Sequence, residues 1–174
     1  MAQTKINEAD SDALALIYQK MEVCFRCADT FFGHKFALAT CNFKLKGKAA
    51  GMAYLQKNEL RFNRFMYEQT PTVFLNTVIP HEVAHLVVFQ IYGLSVKPHG
   101  KEWQAVMLKV YGLKPDRTHT FEVPPQKNVF GYRCSCKEHL FSKHRHTKAK
   151  KGVEYMCKNC RSSLQFTGYT HSER

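Results

Sequence analysis

The sequence has no uninterrupted apolar run of the roughly 18 residues that a membrane-spanning helix needs. Its first 20 residues are polar and acidic before they become amphipathic, so they lack the basic and then apolar order of a secretory signal. These absences predict a cytoplasmic chain without a membrane partner. Hydrophobic residues make up 44% of the 174 residues, which indicates a folded chain rather than a disordered one.

Acidic residues are also scarce, with 14 Asp and Glu against 26 Lys and Arg, a net charge of +12. The excess is uneven. Residues 1–126 contain 15 basic and 11 acidic residues, whereas residues 127–174 contain 11 basic and only three acidic residues. Such a segment is typical of a surface that binds polyanions, nucleic acid first. The alternative is a solvated surface that keeps the protein soluble.

The apolar spacing predicts an α+β chain. Three- and four-residue steps favour an amphipathic helix over residues 11–28, with Ser11 as its N-cap. The alternating stretches AGMAYL and ELRFN predict a hairpin that turns at residues 56–58, after an earlier strand in FALATCNF. We therefore expect helices packed on a short antiparallel sheet in residues 1–125. A small module follows at 126–170, and 171–174 form a loose tail.

The stretch IPHEVAHLVVFQIYG lies in a second helical pattern. Pro80 predicts that this helix begins or bends there, and Gly93 is a natural end. His81 and His85 are four residues apart, so on a helix both can direct a nitrogen at one metal ion. Glu82 is placed to activate a water molecule without binding the metal itself. The alternative is a buried helix whose histidines are satisfied by backbone groups.

A catalytic zinc needs three protein ligands and one open position. The continuation H-x-x-G-x-x-H is excluded, because Val88 and Ile91 occupy its positions. His99, in the loop before the next predicted helix, is the favoured third ligand, and Glu102 is the competing one. No oxyanion-stabilising side chain is singled out, although Tyr67 and Tyr92 are available.

Six of the seven cysteines fall into two groups, one pair in the predicted first helix and two pairs near the C-terminus. The C-terminal pairs predict a zinc ribbon with one structural ion, in which His139 could replace Cys136; buried free thiols are the alternative. Cys24 and Cys27 have redox spacing but lie in a predicted amphipathic helix, which favours core or boundary thiols. The predicted ribbon ligands are Cys134, Cys136, Cys157 and Cys160.

Between the two pairs lies the basic run KHRHTKAKK, flanked by the aromatic residues Tyr132, Phe141 and Tyr155. Basic groups beside aromatic rings suit a phosphate backbone with stacked bases, whereas a purely solvated loop is the alternative. DNA, single-stranded or damaged, is the expected nucleic-acid partner, which would place the protein at the nucleoid. The candidate contacts are Lys143, Arg145, Lys148, Lys150 and Lys151.

The ordered motifs VIPHEVAHLVVFQIYG, KPHGKEWQAVM, RTHTFEV and YRCSC…KHRH…YMCKNC resemble the SprT-like zinc metalloproteases. GMAYLQKNELRFN fits the hairpin of that family, and the resemblance covers roughly residues 13–168. It implies that His81, His85 and His99 bind a catalytic zinc, that Glu82 is the general base, and that a zinc ribbon follows. The family pattern does not require Cys24 or Cys27.

The resemblance implies a zinc metalloendopeptidase that hydrolyses protein substrates. Its eukaryotic relatives, the Spartan proteases, degrade proteins covalently trapped on DNA, but that substrate identity does not transfer with the resemblance. The basic C-terminal module is what makes proteins bound or crosslinked to DNA the expected substrates here. The alternative is a DNA-binding zinc protein with a regulatory role that does not cut. A general zinc peptidase whose charge is incidental is a third possibility.

Overall fold

A computed structural model describes residues 8–118, 120–124 and 128–172. The chain has two compact units, Met1–Pro124 and Pro125–Arg174, and each has its own hydrophobic cluster. The first unit combines helices with a three-stranded sheet. The second combines a three-stranded sheet with one helix and a cluster of cysteines. The α+β class predicted from the sequence is therefore confirmed.

The first unit begins with helix α1, Glu8–Phe32. Its apolar residues recur every three or four positions, so Ile17, Met21 and Ala28 lie on one face and are fully buried. That face packs against the helix that carries the HEVAH sequence. Ser11 is inside α1 and is not its N-cap, because the helix already includes Glu8.

The sheet of the first unit contains β1 (Thr40–Asn42), β2 (Gly51–Tyr54) and β3 (Glu59–Phe62), in the order β1-β3-β2. Strands β2 and β3 form the predicted antiparallel hairpin, which turns through a short 3-10 helix and Asn58 in the left-handed conformation. Strand β1 pairs with β3 in parallel, so the sheet is mixed. The predicted antiparallel arrangement therefore holds for β2 and β3 but not for β1. The long connection from β1 to the far edge strand β2 allows this direction.

Helix α2 (Arg64–Gln69) leads into helix α3 (Pro71–Tyr92). Helix α3 starts nine residues before Pro80 and continues through it, which excludes a start at Pro80, the first of the two predicted alternatives. A proline fits the first turn at Pro71, whereas Pro80 deprives one carbonyl of its usual helical donor. Gly93 ends the helix as predicted, with φ 61° and its N–H bonded to the Phe89 carbonyl at 2.8 Å.

Among the described helices, α3 is the one whose length and hydropathy would suffice to cross a membrane. Core helices of water-soluble proteins meet the same two criteria. Here the helix packs against α1 and β2 and carries the HEVAH residues. It therefore serves as the central core helix of the first unit. Ten of its residues are buried: Phe74, Val78, Ile79, Pro80, Glu82, Val83, Ala84, Leu86, Val87 and Val88.

Helix α4 (Lys101–Ala105) continues into a π-helical turn, Val106–Val110, and the chain then becomes extended. We call residues 113–122 the strap; its residue His119 is outside the described part. The strap is held at one end by a hydrogen bond from the Leu113 N–H to the Met107 carbonyl, at 2.8 Å. At the other end the Gln69 side chain bonds both backbone groups of Glu122, at 2.9 and 3.0 Å.

The second unit contains β4 (Asn128–Arg133), β5 (Glu138–Ser142) and β6 (Gln165–Ser172), all antiparallel in the order β5-β4-β6. Helix α5, Lys143–Lys150, covers most of the basic run, which the sequence did not identify as helical. Strand β6 includes residues 171 and 172, so the predicted tail starts too early; residues 173 and 174 are outside the described part.

Candidate metal centres

Three histidines meet in the first unit. His81 and His85 lie one turn apart on α3, and His99 comes from the loop between α3 and α4. One nitrogen of each ring lies within 4.8 Å of the others, and the Nε2 atoms of His81 and His99 are 3.2 Å apart. Zn–N bonds of about 2.0–2.1 Å in a tetrahedron separate two nitrogens by about 3.3 Å. The group can therefore hold a metal ion and is compatible with zinc.

Trp103 and backbone carbonyls fix the histidine rings. Trp103 is fully buried, lies stacked on His85 with ring centroids 5.5 Å apart, and donates its indole N–H to the His81 carbonyl at 3.3 Å. His85 makes a ring hydrogen bond to the Pro98 carbonyl, which leaves its other nitrogen for a metal. Gln104 donates to the His99 carbonyl at 3.0 Å and so anchors the loop.

Burial favours the neutral imidazoles of His85 and His99, which is the form that binds a metal. Burial, together with the neighbouring His81 and His99, lowers the pKa of His85 to about 3. Burial also lowers the pKa of His99, and the positive charge of Arg117 adds to this effect. A protonated ring is therefore disfavoured at neutral pH, so a metal need not displace a proton from either ring.

Glu82 lies beside the histidines but is held by strand β2. Its side chain is 7% exposed, and burial raises its pKa to about 8, although a hydrogen bond from the Ala53 backbone lowers it. A cation nearby would favour the carboxylate. Glu102, the rival third ligand, is outside the three-histidine group, and its Oε1 lies 4.0 Å from the Lys101 ammonium. The structure thus brings His99, and not Glu102, to His81 and His85.

A cleft of 950 Å³ opens over the three histidines and Glu82. Strand β2 forms one wall, the N-terminal half of α3 another, and the strap a third. Tyr67 packs in the core against Phe43 and Phe74, and Tyr92 is 44% exposed; neither lines this cleft. The strap places Arg117 there instead, a residue that the sequence analysis quoted within RTHTFEV without giving it a role.

Gly51 is a second residue that the sequence analysis missed. A Cβ atom built on it would lie 2.6 Å from Glu82 Cγ and 2.7 Å from Glu82 Oε1. The Glu82 side chain therefore lies directly against the bare backbone of β2. The only sequence signal is a glycine inside a strand pattern, which is typical of a close approach by another group.

The four cysteines of the second unit form another group, with all sulfur atoms within 4.8 Å of one another. Cys136 Sγ lies 3.4 Å from Cys134 Sγ and 3.8 Å from Cys157 Sγ. Zn–S bonds of about 2.3 Å in a tetrahedron separate two sulfurs by about 3.8 Å. This group can also hold a metal ion, and together with the small sheet it is consistent with a zinc module.

His139 does not take the place of Cys136 in this group. Its Nε2 lies 3.2 Å from Cys134 Sγ, where an imidazole N–H can donate to a thiolate. Hydrogen bonds from the side chain and backbone of Ser162 lower the pKa of Cys160 to about 5. Stabilised thiolates are the form that binds metal.

The basic candidates of the second unit lie on or next to α5, and all five are exposed: Lys143, Arg145, Lys148, Lys150 and Lys151. The guanidinium of Arg145 lies 4.0 Å from the centroid of the Phe141 ring and 4.7 Å from that of Tyr155. Phe141 is fully buried and Tyr132 is 4% exposed, so these two rings belong to the core. The prediction that they stack on bases is therefore wrong.

Cys24 and Cys27 both lie in α1. Cys24 is buried and its pKa is raised to about 12 by burial, which opposes thiolate chemistry, whereas Cys27 is exposed. Cys24 therefore has the core position expected for it, and Cys27 lies on the exposed side of α1.

Known proteins are similar to this sequence over most of its length. The profile of the SprT-like family matches residues 21–120. Protein SprT of Pseudomonas aeruginosa is 44% identical over 153 residues, which are 86% of this chain and 93% of the relative. Protein SprT of Actinobacillus succinogenes is 43% identical over 151 residues, 86% of this chain and 88% of the relative. No solved structure matches significantly. On this family profile and these identities, the chain belongs to the SprT-like family.

Proposed function

We propose that the protein is a zinc-dependent endopeptidase. One observation carries this proposal: three histidines and a buried glutamate meet in one cleft that also has an edge strand in its wall. A purely structural metal site has no need of a glutamate beside its ligands or of an open cleft. When bound, a zinc ion supplies Lewis-acid polarisation of a carbonyl and acidifies water.

Each residue then has a separate task. His81, His85 and His99 hold the metal, and Glu82 acts as the general base. The oxygen of a water molecule forms a bond to the peptide carbonyl carbon while Glu82 accepts the proton. Glu82 then passes that proton to the amide nitrogen as the carbon–nitrogen bond breaks, which yields a carboxylic acid and an amine. The acid then gives its proton to the amine, so the products are a carboxylate and an ammonium group.

The substrate chain would lie along β2. This strand pairs with β3 on one side only, so its other side can accept an extended peptide by strand addition. Because β2 also contacts Glu82, the scissile bond would lie next to the base. Arg117, on the opposite wall, would stabilise the negative charge that develops on the carbonyl oxygen.

We further propose that the substrates are proteins bound or crosslinked to DNA. The support is the basic second unit, whose exposed Lys and Arg on α5 suit a phosphate backbone. Its four cysteines would hold a structural zinc ion, and metal binding would stabilise a unit too small for a large core. A cytoplasmic location, at the nucleoid, follows from this role.

The test is Glu82→Gln, with Glu102→Gln as the matched carboxylate control. Glu82→Gln should abolish cleavage of a DNA-bound protein while zinc content and DNA affinity stay at wild-type levels; Glu102→Gln should keep activity. DNA affinity should fall as salt rises, since phosphate contacts release counterions.

The other outcomes separate the alternatives. Full activity of Glu82→Gln would contradict the mechanism. A wild-type protein that binds DNA but cleaves no protein would favour the regulatory, non-proteolytic role. Equal, salt-independent cleavage of DNA-free protein would favour a general peptidase.

A further inference from the structure

Strand β2 has an unusual residue at the point where it meets Glu82. Gly51 is paired with Phe62 in the hairpin, and its φ is not in the left-handed region, so any residue could adopt its backbone conformation. Gly51 is the first residue of β2, and a glycine costs more conformational entropy on folding than a residue with a side chain. The reason for glycine must therefore lie in what it contacts.

That contact is the side chain of Glu82. An added Cβ at Gly51 would be 2.6 Å from Cγ, 2.7 Å from Oε1 and 2.9 Å from Cδ of Glu82. All three distances are shorter than real Cβ contacts. Glu82 cannot simply move aside, because it is 7% exposed and rooted in the central core helix α3. Gly51 and Glu82 can occupy these positions only while residue 51 has no side chain.

The same strand also bonds the carboxyl group. Ala53, two residues along β2, donates its backbone hydrogen bond to Glu82. Residues two apart on a strand direct their backbone groups to the same side, so the Gly51 backbone and the Ala53 N–H both face Glu82. The Gly51 backbone thus limits how closely the Glu82 carboxyl group can approach β2, and the hydrogen bond from Ala53 orients it.

We propose that Gly51 is a positioning residue for the general base, and that the backbone of β2 from Gly51 to Ala53 sets the place of the Glu82 carboxyl group. The metal ligands are independent of this contact, since His81, His85 and His99 are anchored by α3, Trp103 and Gln104. A methyl group at residue 51 would therefore displace the base and leave the metal in place.

Only the kinetic test of this inference depends on the proposed function. Gly51→Ala should lower kcat on a fluorescently labelled protein bound to DNA at least tenfold, with KM and zinc content close to wild type. Loss of zinc in parallel with activity, or an unchanged kcat, would overturn the positioning role. If the wild-type protein cleaves nothing, the proposed function fails, and the stability test below still decides the contact.

That stability test is a double-mutant cycle with Glu82→Ala, read by thermal unfolding of the zinc-loaded full chain. Gly51→Ala should lower Tm by several degrees in the wild-type background, because the new methyl group meets Glu82 Cγ. In the Glu82→Ala background the same change should be neutral or stabilising, because the methyl group fills vacated space. The same Tm loss in both backgrounds, or a Gly51→Ala protein that fails to fold and is not rescued by Glu82→Ala, would overturn the inference.

The matched control is Gly131→Ala in β4 of the second unit. Its added Cβ would lie 2.6 Å from Thr167 Oγ1, which is similar crowding of a strand glycine far from Glu82 in sequence. Any Tm loss from Gly131→Ala should be the same with and without Glu82→Ala. Coupling of Gly131 to Glu82 as large as that of Gly51 would show that the cycle reports general destabilisation, and would overturn the assignment.

Discussion

Two residues of the cleft differ in protonation because burial favours the uncharged form of each. His85 is kept neutral by burial and by the adjacent imidazoles, whereas burial favours the protonated form of Glu82. A metal ion reverses only the second preference, since a cation stabilises the carboxylate. In the proposed reaction, metal binding and the readiness of the base are therefore coupled through charge.

Arg117 is the residue to test for oxyanion stabilisation. Arg117→Ala should lower kcat about 100-fold with little change in KM, because the charge it would stabilise exists only in the transition state. Arg117→Lys should recover part of the rate. Lys114→Ala is the control, because Lys114 is also a strap cation but lies 3.1 Å from Asp116 in an ion pair. Equal rates for Arg117→Ala and wild type would exclude the role.

The strap shows how an element without regular structure can be ordered. Its described residues belong to no strand, and two hydrogen bonds between the Gln69 side chain and the Glu122 backbone hold its C-terminal end. Phe121 adds a ring contact with the buried Phe74, at 5.6 Å between centroids. The wall that carries Arg117 is therefore attached to the helices α2 and α3.

Gln69→Ala should loosen the strap and slow catalysis several-fold while zinc content stays constant. Amide exchange at Glu122 should accelerate, because its N–H loses its acceptor. Gln90→Ala is the control, since Gln90 makes the same pair of bonds with the backbone of Ala37 at 2.8 and 3.1 Å. If the two variants lower kcat equally, the strap has no special part in the cleft.

At the scale of the molecule, the described residues of each unit contain one group of potential metal ligands, and the two groups differ in chemistry. The histidine group faces an open cleft, as a catalytic site requires, whereas the cysteine group offers four sulfur ligands, enough to fill a tetrahedral site. The two metals should therefore be lost independently.

Metal counting checks this independence. The wild-type chain should contain two zinc ions; His99→Ala should lose one and Cys157→Ser the other, each without affecting the remaining ion. Cys157→Ser should also lower the unfolding temperature of the second unit, whose cysteines Cys134 and Cys157 belong to its core. A single zinc per wild-type chain, or loss of both from one substitution, would contradict the assignment.

Much of this molecule could be predicted from local patterns. The four-residue spacing of His81 and His85 places both on one helix face, and the hairpin around residues 56–58 follows from alternation and turn residues. The family follows from the order of the motifs. These features depend on neighbours in sequence, so the sequence by itself determined them.

Tertiary structure alone decided the contacts around Glu82, the position of Arg117 and the helix α5, because these depend on atoms that are distant in the sequence. Nothing local to Gly51 predicts that Glu82, 31 positions later, lies against it, or that the strap carries Arg117 into the cleft. Helix α5 has no apolar stripe; it is held by tertiary contacts such as the stacking of His146 on Phe130, with centroids 3.8 Å apart. Periodicity is a local property, whereas close approach depends on packing.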